Sequence, residues 1–550
     1  MTKKTKTNKI MKNIYRAVGI ALISMTTLLT ACDSLDQAPE DFFASGNFWK
    51  DKEQTAGYMI GLHSLLRSSY SLHFEMGEVR GGLLGDGAGT GASLFGETLN
   101  SQPVIKQDLR KDNAYFNNWA GIYNYILQVN LALQELERAN FLSEQQKKLY
   151  LAQAYGMRAY YYFFLYRTWG SVPLIKDVTV LNGKISAEKL SKKRAKASEI
   201  MALLKEDINT SEKLFHAYGS DAFKDQYTWS EYATLMLKAN IYAWAANVAT
   251  DDCQATGKAD LMTAKEALQK IINSGKFKLM PEFYQAFRTD FKQKNTENIL
   301  AVSYNTTDKK YMPYIELCCA QKNFFTAAYD ENNNQLSLDN KDEFGTNTFV
   351  DGLIRYQYKE SFWKAFDKKD SRRDATFFVV KGSKEKELTG SNFGLLLKKF
   401  SGHYDAAEGA HYFDCDGPIF RYAETLLLMA EIENNLANDP SCYINQIRKR
   451  AYGESYPVYT KQNQYENTKA ILAEADKEFV FEGKRWFNLL RMKDAQGSSL
   501  VFDVSVNYPF IPNQKEGAIL STNEAYKTLW PISVGTMTND PAIEQTPGYK

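Results

Sequence analysis

Two carboxylates four residues apart, Glu478 and Glu482, are the best candidates for acid–base chemistry in this 550-residue sequence. A glycosidase needs two carboxylates that face each other across the scissile bond. Here both side chains would lie on one face of a predicted helix, with Arg485 and Trp486 close behind them. This spacing favours structural ion pairs, and the sequence has neither a G-x-S-x-G nor an H-E-x-x-H motif. We therefore predict that the protein is not an enzyme.

Three short segments carry residue types that bind phosphate or metal ions. Gly77 to Gly91 is rich in glycine but lacks the Gly-Lys-Ser/Thr ending of a phosphate loop. His411 to Gly417 combines one imidazole, one thiol and two carboxylates, without the second Cys/His pair of a zinc site. The segment from Asp330 begins like a calcium loop but has Gln335 where glycine is required. We predict no cofactor and no dedicated metal centre, with incidental calcium binding near Asp330 as the open alternative.

A lipidation motif lies close to the start of the sequence. The tetrad Leu29-Thr30-Ala31-Cys32 ends an apolar run from residue 17, which follows a basic segment without acidic residues. The run has the length of a signal peptide and is too short to span a bilayer. We expect residues 1–31 to be a lipoprotein signal peptide, Cys32 to be acylated, and residues 32–46 to form a lipidated tether. This anchor is the only membrane attachment that the sequence predicts.

Composition and charge narrow the classes of partner. Loss of the six basic residues in the signal lowers the formal net charge from +2 to −4, which argues against nucleic-acid binding. The sequence is rich in aromatic residues, with 34 Tyr, 32 Phe and 8 Trp. Tyrosine and tryptophan combine an apolar face with a polar tip, which suits both packing between helices and stacking on sugar rings or peptide side chains.

Helices predicted from the periodicity of the sequence must position these residues. Apolar residues recur every three or four positions, and Ser143 and Gln146 have the spacing of a capping box. Successive helices are predicted to pair into hairpins of the tetratricopeptide type. The predicted pairs are Phe116–Leu136 with Ser143–Trp169, Lys192–Phe215 with Trp229–Ala249, and Thr263–Ser274 with Pro418–Ala437.

The periodic and irregular parts of the sequence alternate within a body at residues 47–550. The helical scaffold is expected at about 47–67, 113–300 and 418–493, and the irregular binding region at about 68–112 and 300–417. Two short apolar runs, Ile299–Tyr304 and Phe377–Val380, are predicted as strands. The fold class is therefore predicted to be mainly α, with tetratricopeptide-like hairpins that support an irregular ligand-binding region.

Five ordered segments carry a family resemblance. They are AQAYGMRAYYYFFLYRTWGSVPLI (152–175), RYAETLLLMAEIENNLA (421–437), INQIRKRA (444–451), KEFVFEGKRWFNLLRM (477–492) and the ending LWPISVGTMTNDPAIEQTPGYK. Each alone is weakly specific. In this order, and together with the lipidation motif, they resemble the SusD/RagB family of Bacteroidetes outer-membrane lipoproteins.

The resemblance implies a nutrient-binding lipoprotein of the outer membrane, exposed at the cell surface. Its expected partner is a SusC-like TonB-dependent transporter, to which it would deliver captured oligosaccharides. Starch is an unfavourable ligand, because the family prototype binds starch through an aromatic arc and residues 70–110 here contain no Trp. Peptide capture within the same family stays an alternative. A surface glycosidase is the alternative from another class of protein.

The irregular region supplies the predicted ligand contacts, because sugar sites combine aromatic rings with hydrogen-bonding side chains. The predicted ligand-binding residues are Arg80, Asp86, Phe95, Tyr311, Tyr314 and Asn323. Four aromatic residues on the helices are predicted to lie in the core instead: Trp119, Tyr162, Trp169 and Trp486.

Overall fold

The computed structural model describes residues 48–549, apart from 86–92, 97, 100–102, 113, 117–118, 179–190, 308–310, 340, 342–348, 406, 409 and 511–515. The predicted signal peptide, Cys32 and most of the tether therefore lie outside the described residues. The described chain forms two units. One contains residues 48–57 and 139–142, and the other contains residues 58–138 and 143–549. In the smaller unit the Asp51 carboxylate accepts a 2.8 Å hydrogen bond from the Gln54 N–H and so caps the first helix.

Most of the regular structure is helical, as predicted. The α-helices of the described residues are α1 (Lys52–Ser68), α2 (Trp119–Arg138), α3 (Glu144–Trp169), α4 (Ala197–Tyr218), α5 (Glu231–Asn247), α6 (Lys258–Asn273), α7 (Lys322–Thr326), α8 (Glu360–Lys364), α9 (Ser371–Thr376), α10 (Tyr422–Asn435), α11 (Ser441–Tyr452), α12 (Gln464–Glu478), α13 (Arg485–Arg491) and α14 (Val534–Asn539). A π-helix spans His73–Glu78. Short 3-10 helices span Phe283–Phe287, Thr289–Lys294, Ile315–Cys318, Gly390–Asn392, Gly453–Ser455, Leu500–Phe502, Val504–Val506 and Thr522–Thr528.

The three predicted hairpin pairings are confirmed. Helix α3 packs against α2 and α4, α4 packs against α5, and α6 packs against α10 across a long sequence separation. The Ser143 side chain accepts a hydrogen bond from the Gln146 N–H and forms the predicted capping box at the start of α3. Neighbouring helices cover α3 on several sides, so even its polar residues Gln153 and Arg158 are buried.

Three two-stranded antiparallel sheets interrupt the helices. Strand β1 (Asn298–Val302) pairs with β6 (Gly417–Arg421), β2 (Phe377–Lys381) with β3 (Phe393–Leu397), and β4 (His403–Asp405) with β5 (Ala410–Tyr412). The strands predicted at 299–304 and 377–380 are thus confirmed within one or two residues. The β4–β5 hairpin places His403 opposite Tyr412.

The helix predicted to continue through Glu482 is wrong. Helix α12 ends at Glu478, and the next six residues form a turn in which Phe481 and Gly483 both have φ near +67°. Their backbone N–H groups donate to the buried carboxylate of Glu78 at 3.0 and 2.9 Å. These two hydrogen bonds to the π-helix stabilise a turn that periodicity alone cannot indicate.

The four aromatic residues predicted to lie in the core are confirmed there. Trp119, Tyr162, Trp169 and Trp486 are each at most 6% exposed. The rings of Trp119 and Trp169 meet edge to face at 5.4 Å, which joins α2 to the end of α3. None of the helices among the described residues is both long and apolar enough to cross a membrane.

Candidate functional site

The π-helix brings the carboxylate of Glu75 to the edge of the core. Glu75 is 8% exposed, and its Oε1 accepts a 2.7 Å hydrogen bond from the hydroxyl of Tyr314. Burial raises the pKa of Glu75, while hydrogen bonds from Tyr314 and Ser71 act in the opposite direction. Single π-helical turns occur often at functional sites, and so do carboxylates with a pKa perturbed by burial.

Tyr314 adopts an uncommon backbone conformation beside this carboxylate. Its φ is +69°, in the left-handed region that bulky residues rarely occupy outside functional or tightly constrained positions. Its ring stacks on Phe74 with 4.7 Å between centroids and 18° between planes, and meets the half-buried Phe116 edge to face at 6.5 Å. We name Phe74, Glu75, Phe116 and Tyr314 the Tyr314 cluster.

A row of three rings begins three residues before Tyr314. The Tyr311 ring lies 5.6 Å from that of Tyr412, which lies 5.5 Å from the imidazole of His403 across the β4–β5 pair. The Met312 N–H donates to the Phe413 carbonyl at 2.9 Å and fixes the Tyr311 segment against the hairpin. We name Tyr311, Tyr412 and His403 the aromatic row. Tyr311 is 37% exposed, so the row is open to solvent at this end.

Two acidic side chains flank the aromatic row. The Tyr412 hydroxyl donates to the Glu408 carboxylate, and this hydrogen bond raises the pKa of Tyr412 to about 12. At the other end, Nδ1 of His403 lies 3.1 Å from Oδ1 of Asp414. Aromatic faces next to carboxylates suit a polyhydroxylated ligand, since the rings contact its C–H groups and the carboxylates accept from its hydroxyls.

The structure places the predicted ligand residues in different surroundings. Tyr311 and Tyr314 lie together, in the aromatic row and the Tyr314 cluster respectively. Asn323 is exposed in α7, and within the described chain no hydrogen bond joins it to either tyrosine. Asp86 lies outside the described residues.

The prediction of Arg80 and Phe95 as ligand-binding residues is corrected, because both are core residues. Arg80 is fully buried, its Nε donates to Oε1 of Gln107 at 2.9 Å, and its guanidinium lies 3.8 Å from the ring centroid of Trp486. Burial lowers the pKa of Arg80 to about 9. Phe95 is 2% exposed and packs in an apolar cluster with Phe325. Neither side chain is available to a ligand at the surface in this structure.

Sequence reasoning missed Glu75, Phe116, His403 and Tyr412. Two aromatic pairs flank the turn in HYDAAEGAHY, and this symmetry is a signal from which the β4–β5 hairpin could have been predicted. Glu75 gives no comparable signal, because its partner Tyr314 is 239 residues away.

The Glu478–Glu482 pair is confirmed as structural. Both carboxylates are fully buried, and Arg421 donates to Oε1 of Glu478 at 2.7 Å and to Oε2 of Glu482 at 2.8 Å. Lys399 adds a 2.6 Å hydrogen bond to Glu482. Burial alone would raise the pKa of Glu482, but the charges of Arg421 and Lys399 hold it below its usual value. Acids so paired are poorly suited to donate a proton to a glycosidic oxygen.

Carboxylates of the two segments considered for metal binding accept hydrogen bonds within the protein. Oδ1 of Asp330 accepts from the backbone N–H groups of Asn332 and Asn334 at 2.9 and 2.8 Å, which is an Asx turn. Asp416 accepts from the hydroxyl of Tyr227 at 2.8 Å. Among the residues that the structure describes, no group of three or more His, Cys, Asp or Glu side chains is arranged to hold a metal ion.

Comparison with known proteins identifies the family. A model of the SusD family matches residues 244–549, which is more than half of the chain. The chain belongs to the SusD family. A second model, described as starch-binding and associating with the outer membrane, matches residues 88–242. The aromatic row and Tyr314 therefore lie within the segment matched by the SusD family model, and Phe116 within the second.

Individual SusD-like proteins match over different lengths. SusD-like protein P38 of Formosa agariphila is 23% identical over 97% of this chain and 99% of its own length. The starch-binding protein SusD of Bacteroides thetaiotaomicron is 29% identical over 30% of this chain and 27% of its own length. A solved SusD superfamily protein from Bacteroides fragilis is 30% identical, with a TM-score of 0.78 over 92% of this chain and all of that one. The predicted family and fold class are thus confirmed.

Proposed function

We propose that this SusD family member is a non-catalytic glycan-binding lipoprotein of the outer membrane. It captures oligosaccharides at the cell surface and delivers them to a SusC-like TonB-dependent transporter. The observation that carries the proposal is the run of accessible rings from Tyr311 to Tyr412 and His403, adjacent along the chain to the Tyr314 cluster.

The chemistry of this surface supports a saccharide as ligand. Sugar rings present C–H faces that stack on aromatic rings and hydroxyls that need hydrogen-bond partners. The aromatic row supplies three rings, and the exposed carboxylate of Glu408 supplies an acceptor beside Tyr412. Glu75 and Asp414 are buried and bond to Tyr314 and His403, which orients these two side chains. The names of the relatives point the same way, since one matching family model and one matching protein are called starch-binding.

Calorimetry with the mature protein tests the proposal. A panel of oligosaccharides and a peptide library are titrated into the wild type and into Tyr311→Ala. The matched control is Tyr404→Ala, because Tyr404 is equally exposed but is the neighbour of His403 on β4 and so points to the opposite face of the hairpin. We expect saccharide binding that Tyr311→Ala weakens and Tyr404→Ala does not. Binding of peptides alone would replace the glycan with the peptide alternative.

Incubation of the same oligosaccharides with the protein tests the absence of catalysis. We expect chromatography to return every oligosaccharide at its starting length. Shortened products that persist in a Tyr311→Ala preparation of equal purity would trace to a contaminating hydrolase. Products that disappear in this variant would overturn the non-catalytic proposal.

Cys32 carries the proposed anchor. Substitution of Cys32 by Ala removes the acylated thiol, and we expect the protein to leave the membrane fraction and appear in a soluble one. The control is Cys442→Ala, which changes an exposed thiol of α11. Retention of the Cys32→Ala protein in the membrane fraction would contradict lipid anchoring.

The transporter follows from the anchor, because a tethered binding protein cannot itself move a hydrophilic ligand across a bilayer. We expect pull-down from outer membranes solubilised in mild detergent to recover a TonB-dependent barrel with this protein. Recovery of the lipoprotein alone, from membranes in which the barrel is detected, would contradict delivery through such a complex.

A further inference from the structure

A guanidinium near the end of α3 lies among aromatic rings without an ionic partner. Cζ of Arg167 is 3.8 Å from the ring centroid of Phe487 and 4.1 Å from that of Phe163. Within the described residues it forms no ion pair, and its Nε has no hydrogen-bond partner. Burial lowers the pKa of Arg167 to about 9, so the side chain is still charged at neutral pH.

Arg167 lines a small cavity between α3, α5, α10 and α13. The cavity has a volume of about 30 Å³, and its polar lining includes His73, Arg167, Asn240, Glu424, Lys484 and Arg491. A smaller adjoining cavity of about 20 Å³ is also lined by Asn240, Glu424, Lys484 and Arg491. A volume of about 30 Å³ accommodates one small ion or about two water molecules.

The charges around the cavity leave one positive charge uncompensated. Lys484 is paired with Glu424 at 2.8 Å, and Arg491 with Glu431 through two hydrogen bonds of 2.7 and 2.6 Å. Arg167 is the third cation and has no carboxylate of its own in the described chain.

His73 and Tyr160, the remaining titratable groups of this lining, do not change that balance, and burial raises the pKa of Tyr160 so that its hydroxyl stays neutral. Burial and the nearby cations hold the pKa of His73 well below its usual value, so the imidazole is neutral at pH 7. Stacking on aromatic rings stabilises a buried guanidinium, but a buried cation also requires a counter-charge or solvent.

We propose that the cavity beside Arg167 binds one small monovalent inorganic anion of the size of chloride. The anion compensates the charge of the Arg167 guanidinium, and Lys484 and Arg491 add to the positive potential. The cavity has room for water-sized groups, which favours chloride over larger oxyanions such as sulfate and phosphate. The anion would connect α3 to the Phe479–Lys484 turn through Lys484, and this turn holds the π-helix that carries Glu75 through the hydrogen bonds of Phe481 and Gly483 to Glu78.

Bromide replaces chloride and can be located by anomalous X-ray scattering. Crystals of the wild-type protein grown in sodium bromide should show an anomalous peak within hydrogen-bonding distance of the Arg167 guanidinium. Crystals soaked in sodium iodide test the size limit, because iodide should give a weaker peak or none. Density for water alone beside Arg167, with no anomalous signal at any bromide concentration, would overturn the proposal.

Thermal unfolding gives a second, independent readout in solution. At constant ionic strength, the melting temperature should rise by roughly 1 °C for each tenfold increase of chloride over gluconate once the site is mostly occupied. Arg167→Met keeps an unbranched side chain that can pack on the same rings but removes the charge, so it should abolish this dependence. The control Arg288→Met removes a guanidinium that lies over Tyr284 and pairs with Asp290, and it should retain the dependence.

The outcomes separate this proposal from the proposed glycan function. If Arg167→Met does not fold, the chloride series on the wild type and the bromide crystals still test whether the anion site exists. A melting temperature independent of the halide, in a protein that binds glycan normally, would remove the anion site and leave the glycan proposal intact.

Discussion

Tyr314 combines three features that point to more than a packing role. It has a positive φ, its ring stacks on Phe74, and its hydroxyl donates to a carboxylate whose pKa is raised by burial. A non-glycine residue in the left-handed region costs the fold of order 1 kcal/mol, and such costs concentrate at ligand sites. At the residue scale the Tyr314 cluster is therefore where we expect the ligand to be oriented.

Removing only the hydroxyl of Tyr314 tests this orientation. In Tyr314→Phe the ring still stacks, but Glu75 loses its 2.7 Å hydrogen bond from the hydroxyl and keeps only the one from Ser71. We expect the dissociation constant of the bound saccharide to rise about 5- to 10-fold, which corresponds to one hydrogen bond of about 1 kcal/mol. Calorimetry measures the change, with Tyr404→Phe as the control. Equal affinities of Tyr314→Phe and the wild type would exclude the cluster from the binding site.

Phe95 and its neighbour Phe324 separate a core role from a surface role. Phe95 is 2% exposed, Phe324 is 37% exposed, and their rings meet edge to face at 5.8 Å. We expect Phe95→Ala to lower the free energy of unfolding by about 3–5 kcal/mol and Phe324→Ala by less than about 1.5 kcal/mol. Urea denaturation monitored by tryptophan fluorescence measures both. A stable Phe95→Ala protein with weakened saccharide binding would return Phe95 to the ligand site.

At the element scale, the π-helix and the turn after α12 support each other through close backbone contact. A Cβ atom on Gly77 would lie 1.9 Å from the carbonyl oxygen of Gly483, and one on Gly483 would lie 2.0 Å from that of His73. The carboxylate of Glu78 accepts hydrogen bonds from the N–H groups of Phe481 and Gly483 in the turn and from the hydroxyl of Tyr358. Only glycine permits this approach, so the turn determines where the π-helix places Glu75.

Gly483→Ala should disrupt this contact. The variant adds a clash with the backbone of His73 to the cost of alanine at φ +67°. Gly497→Ala is a matched control, because Gly497 has φ +82° and a Cβ atom added there would have nothing within 4 Å. We expect Gly497→Ala to cost about 1 kcal/mol and Gly483→Ala at least about 3 kcal/mol of unfolding free energy. Equal costs, measured by urea denaturation, would show that the π-helix and the turn can separate without loss.

At the scale of the whole molecule, a buried ionic network joins distant parts of the chain. Arg421, at the junction of β6 and α10, donates to Glu297, Glu478 and Glu482 at 2.6–2.8 Å. All four side chains are nearly inaccessible to solvent. Loss of one member leaves an unpaired buried charge, which is more costly than the pair is stabilising. The network therefore makes the fold sensitive both to substitution and to acid.

The pKa of Glu482 determines the direction in which the free energy of unfolding changes with pH. The cations around Glu482 hold its pKa below the usual value of 4.5, so its stabilising contribution is present above that pH and is lost as the pH falls further. We expect Glu482→Gln to lower the unfolding free energy by about 3–5 kcal/mol at pH 7. The difference should shrink by about 1 kcal/mol at pH 3.5, because Glu482 of the unfolded wild type is then mostly protonated, which stabilises the unfolded chain relative to the native one.

Urea denaturation at the two pH values measures this difference. The control is Glu454→Gln, which removes a carboxylate that is 85% exposed and paired with Lys449, and should change little at either pH. A wild-type advantage over Glu482→Gln that grows on acidification would contradict the assignment of charge in the network.

Local pattern determined the family, the helical hairpins, two of the strands, the Ser143 cap and the aromatic core. These features depend on periodicity and on short-range hydrogen bonds, and both can be read within a segment of about 20 residues. The ionic role of Glu478 and Glu482 was also predictable from the residue types around them. The end of the helix between them was not, because the turn after Glu478 is stabilised by Glu78, about 400 residues earlier.

Only the tertiary structure decided which irregular residues face solvent. Arg80 and Phe95 have the types of ligand residues, but Arg80 is covered by Trp486 and the Lys527 carbonyl, and Phe95 by an apolar cluster. Conversely, the aromatic row exists only because a hairpin brings Tyr412 beside Tyr311, 101 positions earlier in the sequence. Burial and proximity depend on long-range packing, so residue type and spacing indicated Tyr311 and Tyr314 but not the other residues of the candidate site.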